Sequence, residues 1–157
     1  MKKIVIAGSF AAYEEMKELA RKLEAALKIK CILPKHFRGY TDSSQIEDLK
    51  KKFKNGEIIL TPKDFLKIGK VEKWFLKQID KADVILVYNK KKKGGEIGIN
   101  TAMDIGYALG KRKKVIFLYP LSDAGIKGFV AFVRKNVKVV KLNKIISYLI
   151  NKLGDCP

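Results

Sequence analysis

Short apolar runs alternate with longer amphipathic segments along the chain, and this alternation limits the possible folds more than any other feature. The runs are rich in Val, Ile and Leu, which is typical of buried strands. The predicted strands are Ile4–Ala7, Cys31–Leu33, Val84–Tyr88, Val115–Tyr119 and Val137–Val140. Strands that alternate with helices form a parallel sheet covered on both faces. We therefore predict an α/β fold, a doubly wound, flavodoxin-like or Rossmann-like five-stranded parallel sheet, in a single domain over residues 1–157.

The segments between these strands carry helical periodicity and helix start signals. Ser44 with Glu47 and Thr61 with Asp64 have the spacing of capping boxes, and Pro62 suits a first helical position. The predicted helices cover approximately residues 12–28, 44–55, 62–82, 100–110, 123–135 and 142–153. We expect the third helix to bury one apolar stripe, formed by Phe65, Ile68, Val71, Phe75 and Ile79.

The charge balance is strongly basic, with 34 Lys and Arg against 16 Asp and Glu and a formal net charge of +18. Such a surface attracts phosphate groups on nucleotides, nucleic acids or anionic lipids. The alternative is a lysine-rich surface of the thermophilic type, which would need matching glutamates for ion-pair networks. Those glutamates are lacking, and both interpretations stay open.

The cysteines and the histidine narrow the chemistry further. Cys31 and Cys156 have neither metal-binding spacing nor a disulfide-rich pattern, which favours a reducing, cytoplasmic location. His36 is the only histidine, which argues against a histidine metal site and a Ser-His triad. The apolar N-terminus superficially resembles a signal peptide, but its removal would delete the first predicted strand, so we expect no secretion. No run reaches the length of a membrane span.

The glycine-rich segment 94–110 is the strongest candidate for a functional site. It joins two predicted buried strands, and its glycines allow a ligand to approach the backbone. We predict that Asn100 caps the following helix and that Asp104 lies near its first turn, where the helix dipole favours a carboxylate. Asn100, Asp104, Tyr107 and Lys111 share one face by spacing. On the residues alone, this face is either a solvent-exposed surface or a ligand site.

A resemblance to a known family rests on two stretches of the chain. Ala82-Asp83 followed by an apolar strand, and then Gly98-Ile-Asn-Thr-Ala-Met-Asp104-Ile-Gly-Tyr-Ala108, resembles the nucleoside 2-deoxyribosyltransferase-like superfamily. The first strand, which ends in Gly8-Ser9, also resembles that pattern. The similarity covers approximately residues 1–33 and 82–120. The family includes deoxyribosyltransferases and nucleotide N-glycosidases, so the resemblance implies cleavage or transfer at an N-glycosidic bond.

The resemblance also implies roles for particular residues. Asp104 would be the nucleophile, although the family pattern has glutamate there and aspartate is shorter by one methylene. The substrate-binding residues would be Gly8, Ser9, Phe10, Asn89, Gly98, Asn100, Thr101 and Tyr107. Apart from the resemblance, the run Lys90–Lys93 lies in the loop beside this site, and by its charge it is either a phosphate site, with Lys92 and Lys93 as the binding residues, or a solvated run of charges. The implied reaction needs no metal or organic cofactor, and the implied assembly is a homodimer or larger oligomer.

Two other functions are compatible with the same residues. A nucleotide-binding or nucleotide-sensing protein on this fold would bind without turnover, as expected if Asp104 is too short to act as a nucleophile. A basic RNA-binding protein would show steep salt dependence and a preference for polymers. We expect no membrane partner, because packing on the sheet explains the apolar stripe of the last predicted helix.

Overall fold

A computed structural model of the chain confirms the predicted α/β fold, and it describes residues 2–36, 38–39, 43–90, 97–121, 127–128 and 136–153. All pairings in its five-stranded sheet are parallel, and the strand order is β2-β1-β3-β4-β5. The strands are β1 Lys3–Gly8, β2 Lys30–Ile32, β3 Val84–Tyr88, β4 Lys114–Phe117 and β5 Val137–Val139. This is the flavodoxin-like order, in which the direction of winding reverses between β1 and β3.

Alternation along the strands produces two cores, one on each face of the sheet. Ile4 and Ile6 of β1 pack with Met16 and Leu23 of the first helix on one face. Val5 and Ala7 face the other side, where the helices that precede and follow β3 pack. β3 is buried along its whole length, as expected for a central strand covered on both faces.

Within the described ranges, five helices of nine or more residues connect or follow the strands. They are α1 Tyr13–Leu27, α2 Ser43–Lys54, α3 Pro62–Asp80, α4 Ile99–Gly110 and α5 Ile145–Leu153, with short 3-10 turns at Phe10–Ala12 and Leu142–Lys144. The predicted capping box of α3 is confirmed, because the Thr61 side chain accepts from the Asp64 backbone N–H and the Asp64 carboxylate accepts from the Thr61 backbone N–H. This box determines where α3 begins.

Two helix predictions need correction. Phe65 is 60% exposed, whereas Phe75 and Ile79 are buried. The 19 residues of α3 span about 28 Å and the six of β1 only about 20 Å, so the first turns of α3 extend beyond the sheet. Ser44 lies inside α2, which already begins at Ser43, so Ser44 is not its cap.

Some predicted elements end early or lie outside the described residues. β4 ends at Phe117, two residues before the predicted end, although Leu118 is still buried. The predicted helix over 123–135 falls mainly outside the described residues, and only Lys127 and Gly128 of it are described, as helical. Among the described helices, none has both the length and the apolar character needed to cross a membrane.

Candidate active site

A cavity of about 250 Å³ opens at the carboxyl ends of β1 and β3, where the winding of the sheet reverses. Ligands of doubly wound sheets bind in this position. Most of the predicted site residues line it, together with residues of α3 and of the segment after β2. The lining residues are Gly8, Ser9, Phe10, Pro34, Lys35, Val71, Glu72, Phe75, Gly98, Ile99, Asn100, Thr101 and Asp104.

Helix α4 begins two residues earlier than predicted, so Asp104 lies farther from the helix N-terminus than expected. Gly98 is the N-cap, so Asn100 lies inside the first turn and is not the cap. Asp104 is therefore the sixth helical residue, beyond the first turn where the helix dipole acts most strongly. Asp104 is only 8% exposed, so the alternative of a solvent-exposed face is wrong for this residue.

Asp104 is a buried acid without a neutralising contact. Among the described residues, its carboxyl group has neither a hydrogen bond nor an ion pair, although it lines the cavity. Burial raises the pKa of Asp104 to about 7, and the nearby Glu72 carboxylate raises it as well. No side-chain nitrogen or oxygen of the described residues is both fully buried and without a hydrogen bond, so the Asp104 oxygens are accessible from the cavity. Strongly raised carboxyl pKa values are typical of functional sites.

Glu72 is the most informative residue that the sequence analysis missed. It lies on α3, lines the same cavity, and burial raises its pKa. No motif marks it, because the resemblance does not extend over residues 35–80. Its one sequence signal is its position beside the apolar stripe at Val71 and Phe75, on a helix whose other charged residues are mostly lysines. Two carboxyl groups from neighbouring helices therefore share one cavity.

The segment after β2 contributes a wall of the cavity that the sequence analysis also missed. Pro34 and Lys35 line it, and the Lys35 ammonium group lies 4.3 Å from the centre of the Trp74 ring on α3. Next to them, the His36 ring packs edge-on against Phe10, with ring centres 5.5 Å apart. The described residues around the cavity thus provide apolar walls, one cation and two acids. Such a lining suits a ligand that joins an aromatic ring to a polar group.

The two glycines of the predicted site, Gly8 and Gly98, differ in the space around their Cα atoms. A Cβ atom at Gly8 would lie 2.7 Å from the Met16 sulfur and 3.1 Å from the Tyr88 carbonyl oxygen. Gly8 is therefore required by internal packing. A Cβ at Gly98 would meet nothing within 4 Å, so the cap of α4 leaves open space beside the cavity. Only Gly98 fits the expectation that a glycine allows a ligand to approach.

Two predicted site residues, Asn89 and Tyr107, are not brought to the cavity. The Asn89 side chain is held by the Tyr119 backbone, to whose oxygen it donates at 2.9 Å and from whose nitrogen it accepts at 3.0 Å. The Tyr107 hydroxyl donates to the Asp80 carboxylate on α3, 3.0 Å away. Neither residue lines the cavity. Lys92 and Lys93 lie outside the described residues.

The described residues contain no group of three or more His, Cys, Asp or Glu side chains that could hold a metal ion. Asp104 and Glu72 are two acids facing one cavity, one fewer than such a group requires.

Comparison with solved structures shows that the fold is shared with nucleoside-processing enzymes. A 2-deoxyribosyltransferase from Bacillus psychrosaccharolyticus is 17% identical with a TM-score of 0.58, covering 96% of this chain and 95% of that one. A CMP N-glycosidase from Clostridium botulinum is 15% identical with a TM-score of 0.52, covering 94% and 98%. A 2-deoxyribosyltransferase from Leishmania mexicana is 17% identical with a TM-score of 0.48, covering 75% of this chain, which spans 64% of its length. No protein-family model matches the sequence, and no curated protein is significantly similar to it.

Proposed function

We propose that this protein cleaves or transfers the N-glycosidic bond of a nucleoside or nucleoside 5'-monophosphate, with Asp104 as the nucleophile. The observation that carries the proposal is the buried Asp104 carboxyl group, which faces the cavity without a hydrogen bond or ion pair among the described residues. The resemblance of segment 98–108 to the deoxyribosyltransferase-like family supports it. So does the fold shared with a deoxyribosyltransferase and an N-glycosidase.

The reaction would proceed in two displacements at the anomeric carbon. An Asp104 oxygen attacks this carbon while the bond to the base nitrogen breaks, and the base leaves with the bonding electron pair. A glycosyl ester of Asp104 results. Water then attacks the same carbon in hydrolysis, or the nitrogen of a second base does so in transfer, and the Asp104 carboxylate is released. Asp104 must be ionised to attack, so its pKa of about 7 predicts that the rate falls as the pH drops below 7.

The polar residues that line the cavity suit the sugar of the substrate and its 5'-phosphate. Thr101 is 5% exposed and lines the cavity, and its hydroxyl has no hydrogen bond within the described part of the chain. Asn100 and the first backbone N–H groups of α4 lie beside it, and Lys35 supplies a positive charge. These groups suit hydroxyl or phosphate oxygens of the substrate.

The test is base release by the purified protein from ribo- and deoxyribonucleosides and their 5'-monophosphates. We expect free base from at least one substrate class, and a loss of about a thousandfold or more in Asp104→Asn. Asp48→Asn is the matched control, because Asp48 is exposed on α2 and pairs with Lys52. Mass spectrometry of rapidly quenched protein should find the glycosyl ester in the wild type. Ligand binding without turnover would instead indicate a nucleotide-sensing protein, and preferential binding of long RNA would indicate an RNA-binding protein.

The proposal includes self-association through the outer face of α4, formed by Ile99, Ala102, Met103, Gly106 and Gly110. Ile99 is 81% exposed and Met103 68% exposed. In a chain with 34 Lys and Arg, this helix contains neither residue, so two strongly basic copies can meet here without placing lysines opposite each other. Ile99 also lines the cavity, so a second copy on this face would cover its mouth.

Sedimentation over a range of protein concentrations tests this association. Met103→Lys should shift the protein toward the monomer, whereas Ile59→Lys, at an 83% exposed position outside α4, should not. A wild-type protein that stays monomeric at high concentration would remove this part of the proposal and leave the chemistry untouched.

A further inference from the structure

Helix α3 carries a line of lysines along the side that faces away from the sheet. They recur at intervals of three or four residues over the whole helix, which places them on one face. About a third of the helix circumference contains only lysines, one leucine and one tryptophan, namely Lys63, Leu66, Lys67, Lys70, Lys73, Trp74 and Lys77. This face, the lysine stripe, is about 21 Å long. Its lysines and its leucine are exposed, and its tryptophan is partly buried.

The lysines of the stripe lack the neutralising contacts that other lysines of the chain make. Lys22 and Lys52 each pair with an acid on their own helix, whereas no lysine of the stripe is in an ion pair with a described residue. The acids of α3 lie outside the stripe, at Asp64, Glu72 and Asp80. Neighbouring like charges on a helix repel one another. A partner that presents regularly spaced negative charges removes this repulsion along the whole stripe.

Trp74 adds an aromatic surface to this row of charges. The Lys35 ammonium group, from the segment after β2, lies 4.3 Å from the centre of the Trp74 ring, so a further cation stands beside the stripe. Proteins bind single-stranded nucleic acids with this combination, in which cations follow the phosphates and aromatic rings stack on bases. The spacing of the lysines lets successive side chains reach successive phosphates of one strand.

We propose that the lysine stripe binds single-stranded nucleic acid, with a base stacked on Trp74. A bilayer fits the stripe less well, because a helix on a membrane inserts its apolar face, and that of α3, with Phe75 and Ile79, is buried against the sheet. A duplex offers phosphates but keeps its bases stacked inside, so Trp74 would have no base to contact. This inference concerns the outer face of α3 and is independent of the function proposed for the cavity.

The fluorescence of Trp74 provides the first test, because it is the only tryptophan of the chain. We expect an oligouridylate or oligothymidylate of about 12 nucleotides to quench it. Excess uridine 5'-monophosphate, which is small enough to enter the cavity, should not reverse the quenching. With five phosphate contacts, the slope of log K against log salt concentration should approach about −3.5.

Two matched triple variants separate the stripe from the overall charge of the protein. Binding of a labelled oligonucleotide, measured by fluorescence anisotropy at about 0.1 M salt, should weaken about 10- to 100-fold in the combination Lys67→Gln, Lys70→Gln and Lys73→Gln. The salt slope of this variant should become less steep by about 2. The control removes the same charge at exposed positions on β5 and the 3-10 turn after it, with Lys138→Gln, Lys141→Gln and Lys144→Gln. Its affinity should change by less than about threefold, and both variants should melt like the wild type.

Several results would overturn the inference. Equal losses in the two triple variants would show that binding depends on overall charge and not on α3. Oligonucleotide binding that leaves Trp74 fluorescence unchanged, or quenching that the mononucleotide reverses, would place the strand elsewhere. Tighter binding of a duplex of the same length, or of vesicles of phosphatidylcholine and phosphatidylglycerol, would identify another partner. None of these results bears on base release, which tests the proposed function separately.

Discussion

Asn89 and Asp104 are buried to a similar extent in two neighbouring regions of the molecule. The side-chain amide of Asn89 is hydrogen-bonded, whereas the carboxyl group of Asp104 has no hydrogen bond among the described residues. Asn89 is 1% exposed, and both ends of its side-chain amide are bonded to the Tyr119 backbone. Asp104 is 8% exposed and lacks such a partner among the described residues. Asn89 joins the segments that follow β3 and β4. Asp104 faces a cavity.

The difference separates a structural role from a functional one. A buried amide with satisfied donors and acceptors stabilises the fold and has little capacity left for a ligand. A largely buried carboxyl group that lines a cavity is hard to ionise, which costs stability at neutral pH, and such groups are concentrated at functional sites. On this basis Asn89 belongs to the scaffold of the sheet edge, and Asp104 belongs to the proposed chemistry.

The largest stability effect should come from removing the Asn89 amide. Asn89→Ala deletes two hydrogen bonds and leaves the Tyr119 backbone N–H and C=O without these partners. We expect the free energy of unfolding to fall by about 2–4 kcal/mol, measured by urea denaturation. Below the melting transition, the rate of base release per folded molecule should stay close to that of the wild type.

Asn100→Ala is the natural counterpart, since Asn100 is exposed at the start of α4 and lines the cavity. It should leave stability within about 0.5 kcal/mol of the wild type and instead weaken substrate binding. If Asn89→Ala abolished turnover in a fully folded protein, this would indicate that Asn89 contributes to the site and not only to stability.

The second effect is a pH-dependent gain in stability in Asp104→Asn. The pKa of Asp104 is about 7 in the folded protein against an ordinary 3.8, so between these values the folded state holds a proton that the unfolded state has released. Wild-type stability therefore decreases as the pH rises from about 4 through 7. The asparagine has no proton to lose, so the variant should gain on the wild type by on the order of 2–4 kcal/mol at pH 8 and little at pH 4.

Urea denaturation of both proteins at pH 4.5, 6, 7 and 8 measures this difference. A gap between variant and wild type that stayed constant with pH would mean that Asp104 is not held in its protonated form.

The fold was predictable because every element carries its own local signal. The apolar strands, the amphipathic stripe of α1 and the Thr61–Asp64 capping box each follow from a few adjacent residues. The parallel sheet follows from their alternation. Phe65 was placed wrongly because periodicity cannot show that α3 extends past the sheet, which depends on the relative lengths of helix and strand.

Only those residues of the candidate site that follow the end of a strand could be predicted from the sequence. Gly8, Ser9, Gly98 and Asp104 lie in the segments that follow β1 and β3, so topology brings them together. Glu72 comes from the middle of a helix, where only the packing of α3 beside α4 determines which side chain faces the cavity. Asn89 follows a strand as well, but its amide binds the backbone of the next strand end, a long-range contact that no local pattern reveals.

The smallest effect on stability and rate should come from Tyr107→Phe. The hydroxyl of Tyr107, like the amide of Asn89, is hydrogen-bonded within the protein, but it lies near the surface. Its hydroxyl donates to Asp80, and this contact raises its pKa. Tyr107→Phe removes that bond while water remains available to Asp80, so we expect the melting temperature and the rate of base release to match the wild type within error. Differential scanning calorimetry and the base-release assay measure both quantities. A selective rise in KM with unchanged melting would show that the Tyr107 hydroxyl reaches the substrate, and satisfied hydrogen bonding would then no longer separate scaffold from site in this protein.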